Sequence, residues 1–488
     1  MRNLWQRLVD LPHHLNTREK VIALTLGLVL VFLGAAKFKD YVYNRLVELP
    51  AAGGTFTEGV VGQPHLLSPI SSLDTNERTI LSLIYVGLTE TTADGRTLPV
   101  LAESWVISED GQTYTFTLKP NLKWHDGQPL TTSDVAATIG QVSDPETKSP
   151  FMADWAGVTV EIKDERTIAF HLDAPNAPFL ATTDLPLIPI HISNVDLQQN
   201  LIGDGPYAFE SSKTKNDKMT EVRLKSFADW PGGQPYIDQL VWRFYDSTDN
   251  LVKAYKNGQV DSFAEWSSAT PNLSGTVFRL PSQRHRLLFL NTARDNIKDV
   301  NVRKHLFEGT KLNNLITLKI ITQPSLANHP DFVAQLKVWQ DQGNTINLEQ
   351  LDSVALLDRI DSHDYDVLFA DIDLRADLDI YPLWHSSQRG AGGYNFAQLD
   401  DKETDQKLEE ARRTLDLAKR RLLTEEAERR LHDLAVYKDL EQVPVIWHVN
   451  NRILGIPKLQ YVVDSPDRFA DIAHWYIKTR HRPGSSLK

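Results

Sequence analysis

Apolar and polar positions alternate in period two along several stretches of this chain, and each stretch ends in turn residues. Residues 104–107 and 113–118 form such a pair around Glu109-Asp110-Gly111, a sequence suited to a tight hairpin. Residues 158–162 and 167–172 form a second pair around Asp164-Glu165. Residues 222–225 and 239–244 form a third, across a Trp-Pro-Gly-Gly turn. Further strands are expected at 55–62, after 258–261, and at 286–290, 317–322, 365–370 and 444–449. Helical spacing of apolar residues marks 72–88 (with Ser72 or Asp74 as cap), a segment capped at Ser133-Asp134, 250–257, 300–306 and 332–342. Residues 402–434 are helical and densely charged, read as two helices with a solvated face. Hairpins and helices mix in the first half, and strands alternate with helices in the second. This is a multi-domain α/β chain.

One run has neither period. Residues 21–36 (VIALTLGLVLVFLGAA) carry no charge, and Arg2, Arg7, Arg18 and Lys20 precede them. A helix of this length covers about 24 Å, and Phe38, Tyr41 and Tyr43 extend it. The basic excess predicts an N-terminus in the cytoplasm and the remainder outside; the reading adopted is an uncleaved signal anchor, with a cleaved signal peptide offering Leu33-Gly34-Ala35-Ala36 and a buried core helix as the alternatives. Residues 1–20 are then cytoplasmic, 21–43 transmembrane, and 44–54 a linker ending in Pro50-Ala51-Ala52-Gly53-Gly54.

Composition narrows the chemistry. The 488 residues contain no cysteine, which excludes disulfides, thiol nucleophiles and cysteine-held metals. The net charge of −12 argues against a general nucleic-acid binder. None of the fifteen histidines sits in an H-x-x-x-H or H-E-x-x-H pattern, so no metal or other cofactor is expected. The chain also lacks a G-x-S-x-G elbow, a G-x-x-x-x-G-K-[ST] loop and a G-x-G-x-x-G turn, which disfavours a hydrolase and predicts no catalytic residues.

Residues 86–90 (VGLTE), 99–105 (PVLAESW), 108–111 (SEDG), 114–119 (YTFTLK) and 123–135 (KWHDGQPLTTSDV) form an ordered series. It continues with 203–207 (GDGPY), 256–261 (KNGQVD), 288–292 (LFLNT), 301–306 (NVRKHL), Tyr394-Asn395 and 405–412 (DQKLEEAR). The series resembles the extracellular solute-binding proteins of ABC importers, family 5, of the peptide- and nickel-binding type. The resemblance covers about residues 54–478.

The resemblance implies a two-lobed periplasmic-binding-protein-like fold, type II and cluster C like. The first lobe would hold 55–285 and 450–488, with an extra subdomain over about 73–189; the second would hold 286–449. A peptide or small solute would sit in the cleft between them, bound extended, and ABC permease subunits would be the partners of a monomer. An acidic residue would take the solute's ammonium group. The acidic run 369–381 (FADIDLRADLDIY) offers Asp377 and Asp379, with Asp371 and Asp373 as substitutes. Four carboxylates in one loop also leave a cation site open, without spacing that singles it out. Tyr381, Trp384, His385, Ser386 and Gln388 follow as stacking and hydrogen-bonding candidates. Glu58 and Gly59 match where relatives offer backbone to ligand, Asn395 is a further candidate, and Tyr85 and Trp266 are weaker ones. Trp124-His125-Asp126-Gly127 is read as a structural turn. One departure stands out: a segment of some fifty residues that relatives carry after the 301–306 helix is missing, which implies a more open site or a larger ligand. A membrane-tethered structural or sensory protein is the alternative.

Overall fold

The structure is a computed structural model describing residues 16–43, 46–64, 68–71, 75–92, 95–192, 201–266, 273–310, 314–374, 379–390, 392–458, 462 and 465–483. Helix α1 (Thr17–Tyr43) contains the apolar run. Among the described residues no helix is long and apolar enough to cross a membrane, so the expected transmembrane helix has no support in the fold. The expected linker is also revised. Residues 46–51 form strand β1 (Leu46–Ala51), which pairs antiparallel with β20 (Lys478–Pro483) at the other end of the chain. Nothing local in 44–54 discloses so distant a partner.

The first lobe is built on a seven-stranded sheet in the order β13-β19-β12-β2-β11-β10-β9. Its strands are β2 (Thr55–Val61), β9 (Tyr207–Lys215), β10 (Lys218–Ser226), β11 (Gln239–Tyr245), β12 (Ser262–Trp266), β13 (Thr276–Leu280) and β19 (Val445–Val449). β2 runs parallel to β11 and to β12. α2 (Thr75–Ile84) buries Ile80, Leu81, Leu83 and Ile84 in the same core as Phe56, Trp242, Trp447 and Trp475.

The subdomain has β3 (Thr89–Thr91) paired with β4 (Thr97–Pro99), and a sheet ordered β5-β6-β8-β7. The latter strands are β5 (Ala102–Ile107), β6 (Thr113–Leu118), β7 (Thr159–Ile162) and β8 (Thr167–His171), so both predicted hairpins form. α3 (Thr132–Val142) packs there. Its cap is Thr131, two residues before the expected Ser133, and Asp134 reaches back to the Thr131 N–H at 2.9 Å.

Two sequence motifs knot the subdomain to the first lobe. His125 Nδ1 accepts from the Gly203 N–H at 3.1 Å, and His125 Nε2 faces the Gly205 carbonyl at 3.0 Å. A backbone N–H can only donate and a carbonyl can only accept. The ring is therefore held neutral with its proton on Nε2, and burial brings its pKa down to about 4. Asp204 accepts from the Val86 N–H at 2.9 Å. Gly203 is required because a Cβ there would lie 1.9 Å from the Ile84 carbonyl oxygen.

The second lobe has the sheet order β16-β15-β17-β14-β18: β14 (Arg284–Leu290), β15 (Thr317–Thr322), β16 (Thr345–Gln350), β17 (Val367–Asp373) and β18 (Tyr437–Gln442). Around it lie α5 (Val300–Glu308), α6 (Pro330–Asp341), α7 (Ser353–Asp361), α8 (Lys402–Arg413) and α9 (Leu417–Asp433), while α4 (Thr248–Lys256) packs on β2 and β11 of the first lobe. α8 and α9 are the predicted helix pair. β19 belongs to the first-lobe sheet, pairing with β12 and β13, so the chain returns at 443–444 and not at 449. The apolar run 445–449 is equally good for either sheet; only its partners decide.

Candidate functional site

Two short segments connect the lobes, 281–283 between β13 and β14 and 443–444 between β18 and β19. They are stitched to each other. Buried Ser282 donates from Oγ to the Val443 carbonyl at 2.6 Å and accepts from the Arg284 N–H at 3.0 Å. Gln442 Nε2 donates to the Ser282 carbonyl at 2.7 Å, and the Val443 N–H donates to the Arg284 carbonyl at 2.8 Å. Each lobe has its own hydrophobic core on either side. Relative motion of the lobes is thereby confined to a few residues, the geometry of a hinge.

Beside the crossing, a cavity of about 220 Å³ opens at the C-terminal ends of the parallel strands β2 and β12. Glu58, Gly59, Leu251, Phe263, Glu265, Trp266 and Arg468 contribute to its wall. Gly59 lets α4 approach β2: a Cβ would lie 2.2 Å from Leu251 Cδ1. Glu58 is 1% exposed and pairs through Oε1 with Arg468 Nη1 at 3.0 Å. Burial raises the Glu58 pKa, and the Arg468 charge works against that rise. Glu58 Oε2 is enclosed and makes no well-formed hydrogen bond, although the Ser262 hydroxyl beside the carboxylate helps Arg468 to hold the pKa down. Phe263 stacks on fully buried His448, centroids 4.5 Å apart. The Arg284 guanidinium lies 3.9 Å over the Trp266 ring, and the same arginine holds Asp373 through two contacts of 2.7 Å. Trp266 of one lobe thus touches a charged cluster of the other.

A second cavity of about 400 Å³ lies between the subdomain segment 153–182 and the second lobe. Asp379, Tyr381, Glu409, Arg412 and Arg413 form its second-lobe wall. Arg412 Nη2 meets Asp379 Oδ2 at 2.6 Å, and its guanidinium lies 3.7 Å over the Tyr381 ring. Tyr381 in turn stacks on His385 at 4.0 Å. The Ala177 N–H donates to the Arg412 carbonyl at 2.7 Å, closing one edge.

The expected site residues therefore divide. Glu58 and Gly59 line the first cavity with Trp266, and Asp379 and Tyr381 line the second. Asp377 lies outside the described residues. The remaining candidates line neither cavity. Trp384 is buried in the second-lobe core against Phe289 and Tyr437. Asn395 is fully buried; its Nδ2 donates to the Trp384, His385 and Leu399 carbonyls and its Oδ1 accepts from the Leu399 N–H. Such a side chain organises a loop and has nothing left for a ligand. Ser386 is bound through N–H and Oγ to Asp405. His385 Nδ1 and Gln388 Nε2 both turn to Ser387 Oγ. Tyr85 is buried among first-lobe core residues. Asp371 pairs with Arg286 at 2.8 Å and Asp373 with Arg284. Among the described residues, no three His, Asp or Glu side chains gather as a metal site.

The sequence reading missed Glu265, Arg468, Arg412 and Glu409. Glu265-Trp266 at a strand end was a usable signal. Arg468 gave none, because its partner is 410 positions away.

Two α/β lobes with separate cores, joined by paired crossings and flanked by polar cavities, define the class of two-lobed binding proteins. Comparison with known proteins agrees. Residues 96–307 match the model of the bacterial extracellular solute-binding proteins, family 5 Middle, so the resemblance read from the motifs holds. A Brucella ovis protein, provisionally named an ABC transporter peptide-binding protein, is 32% identical over 193 residues, 37% of this chain and 36% of that one. The periplasmic murein peptide-binding protein MppA of Escherichia coli is 24% identical over 326 residues, 60% of each chain. The chain thus matches about a third of the first relative's length and three fifths of the second's. In structure, the ABC transporter substrate-binding protein CtaP of Listeria monocytogenes superposes with a TM-score of 0.74 at 23% identity, over 88% of this chain and all of that one. That likeness establishes the two-lobed fold. These relatives lend no support to a structural or sensory alternative.

Proposed function

We propose that this chain is the extracytoplasmic solute-binding component of an ABC importer, capturing peptides or similarly extended solutes between its lobes. The observation that carries this reading is the stitched double crossing at Ser282 and Val443, with a charged and aromatic cavity directly beside it. A hinge beside a cavity closes on what the cavity holds. The names of the Brucella and Escherichia relatives support a peptide as the solute. An extended peptide would gain affinity through main-chain pairing and selectivity through side-chain pockets. The protein would act as a monomer, present its closed form to separate permease subunits, and carry out no chemistry of its own.

We further propose that α1 tethers the chain to the cell membrane, with the N-terminus cytoplasmic and the lobes outside. Val21, Leu24, Leu28, Val31 and Phe32 are all more than half exposed, so apolar side chains look outward around the helix. A helix that is apolar all round is suited to lipid, although the uncharged stretch falls short of the ~30 Å hydrocarbon core. Alkaline extraction of membranes tests this: retention of the full chain supports the tether, and full release removes it.

Mass spectrometry of small molecules released from the purified, denatured protein tests the binding role. Release of stoichiometric peptides supports it. A protein that releases nothing and retains nothing from a peptide mixture has some other task.

A further inference from the structure

A solute with a positive end needs a carboxylate that still has an oxygen to offer. In the second lobe the described acids of the 369–381 run are already committed: Asp371 to Arg286, Asp373 to Arg284, and Asp379 to Arg412. Each is held by a guanidinium, which would have to be displaced before another cation could bind. The first-lobe cavity differs. Glu58 Oε2 and Glu265 Oε1 are both enclosed without a well-formed hydrogen bond, the Ser262 hydroxyl alone lying near the first, and both residues line the cavity. Glu58 is fixed in place by Arg468 on its other oxygen. Glu265 Oε1 lies 3.6 Å from His448 Nε2, beyond hydrogen-bond reach.

The charged wall of this cavity is two carboxylates against one guanidinium, with Phe263 and Trp266 as aromatic surfaces. Trp266 already carries a cation on one face, that of Arg284. Enclosed acceptors without donors are rare in folded proteins because desolvation is not repaid. An ammonium admitted to the cavity would bring the missing donors.

We infer that the pocket between Glu58 and Glu265 receives the positively charged end of the solute, a primary ammonium, and that the acidic second-lobe run does not. The inference rests on the binding role proposed above. It moves the charge-reading group from the lobe where the motif pattern located it to the opposite lobe.

The test uses the full chain in detergent with a mixture of aliphatic tri- to pentapeptides, supplied with free or acetylated amino termini. Wild type should retain free-amine peptides at least about ten-fold more strongly than acetylated ones, the scale of one charge-assisted contact. Glu265→Gln should collapse that preference to about two-fold while still retaining peptide. Because Glu58→Gln takes a charged partner from buried Arg468, it is read only where its melting curve is cooperative, and there it should lose the preference too. Retention by wild type with an unchanged preference in Glu265→Gln overturns the inference and leaves the binding role intact. A preference lost in Asp379→Asn and kept in Glu265→Gln does the same and returns the site to the second lobe. Wild type retaining neither set removes the binding role and the inference with it.

Discussion

At the junction of subdomain and first lobe, His125 spends both ring nitrogens on the backbone of Gly203 and Gly205. At the head of the cleft, Glu58 spends one oxygen on Arg468 and none of the other. Glu58 is the more deeply buried of the two, and in both regions the residues come from distant parts of the chain. The regions differ in what a ligand could add. The His125 ring has no hydrogen-bonding capacity left, so the motif around it holds the fold together. The Glu58 pocket has capacity left over, so it is where the proposed guest would change the energy. Completeness of hydrogen bonding thus separates a structural family motif from a candidate binding site, where motif strength alone would rank them the other way round.

The largest expected effect lies in the closed region. Gly203→Ala would force a methyl to within 1.9 Å of the Ile84 oxygen. We expect a loss of roughly 3 kcal/mol or more, measured by denaturant unfolding. A variant with an unchanged unfolding midpoint would break the contrast, since the knot would then have room to spare.

A pH effect comes next. Folding lowers the His125 pKa from 6.5 to about 4. The unfolded chain therefore binds the proton first as pH falls. The contribution of His125 to stability is complete above about pH 6.5 and is lost as pH drops through 4, at most about 3 kcal/mol for a ring partly open to solvent. His125→Gln should flatten that segment of the stability–pH curve. An equally steep curve in the variant would assign the acid sensitivity elsewhere.

The smallest effect belongs to the open region. Asp373→Ala removes the partner of Arg284 at a half-exposed site and should cost under about 1 kcal/mol. It should nonetheless change tryptophan fluorescence, because one of the carboxylates that orient the guanidinium stacked on Trp266 is gone. No spectral change would mean the two lobes do not communicate through this contact.

How much of this was legible in the sequence follows the same division. Hairpins, the charged helix pair and the strand at 445–449 are local patterns, and they formed as read. The pairing of β1 with β20, the sheet that takes β19, and the Glu58–Arg468 pair depend on partners hundreds of residues away, for which period and propensity carry no signal. At the site, Asp379 and Tyr381 reached a cavity together, both held by Arg412 of α8. Trp384 and Asn395 did not, because a large aromatic and a loop-bridging amide satisfy themselves more fully in the interior. Acidic residues in 369–381 drew attention by their density, yet the arginines that neutralise them lie on other strands and helices. Charge is visible in a sequence; its compensation is not.

The central claim is a clamp that closes at Ser282 and Val443 around a solute. The absence of cysteine allows two to be introduced and spin-labelled without background, at exposed Glu146 in the subdomain and exposed Glu425 in the second lobe. Electron–electron distance measurement before and after adding the peptide mixture then reads the closure. The account predicts a shorter and narrower distance distribution with peptide present. Identical distributions in both states, from protein that demonstrably holds peptide, would contradict it.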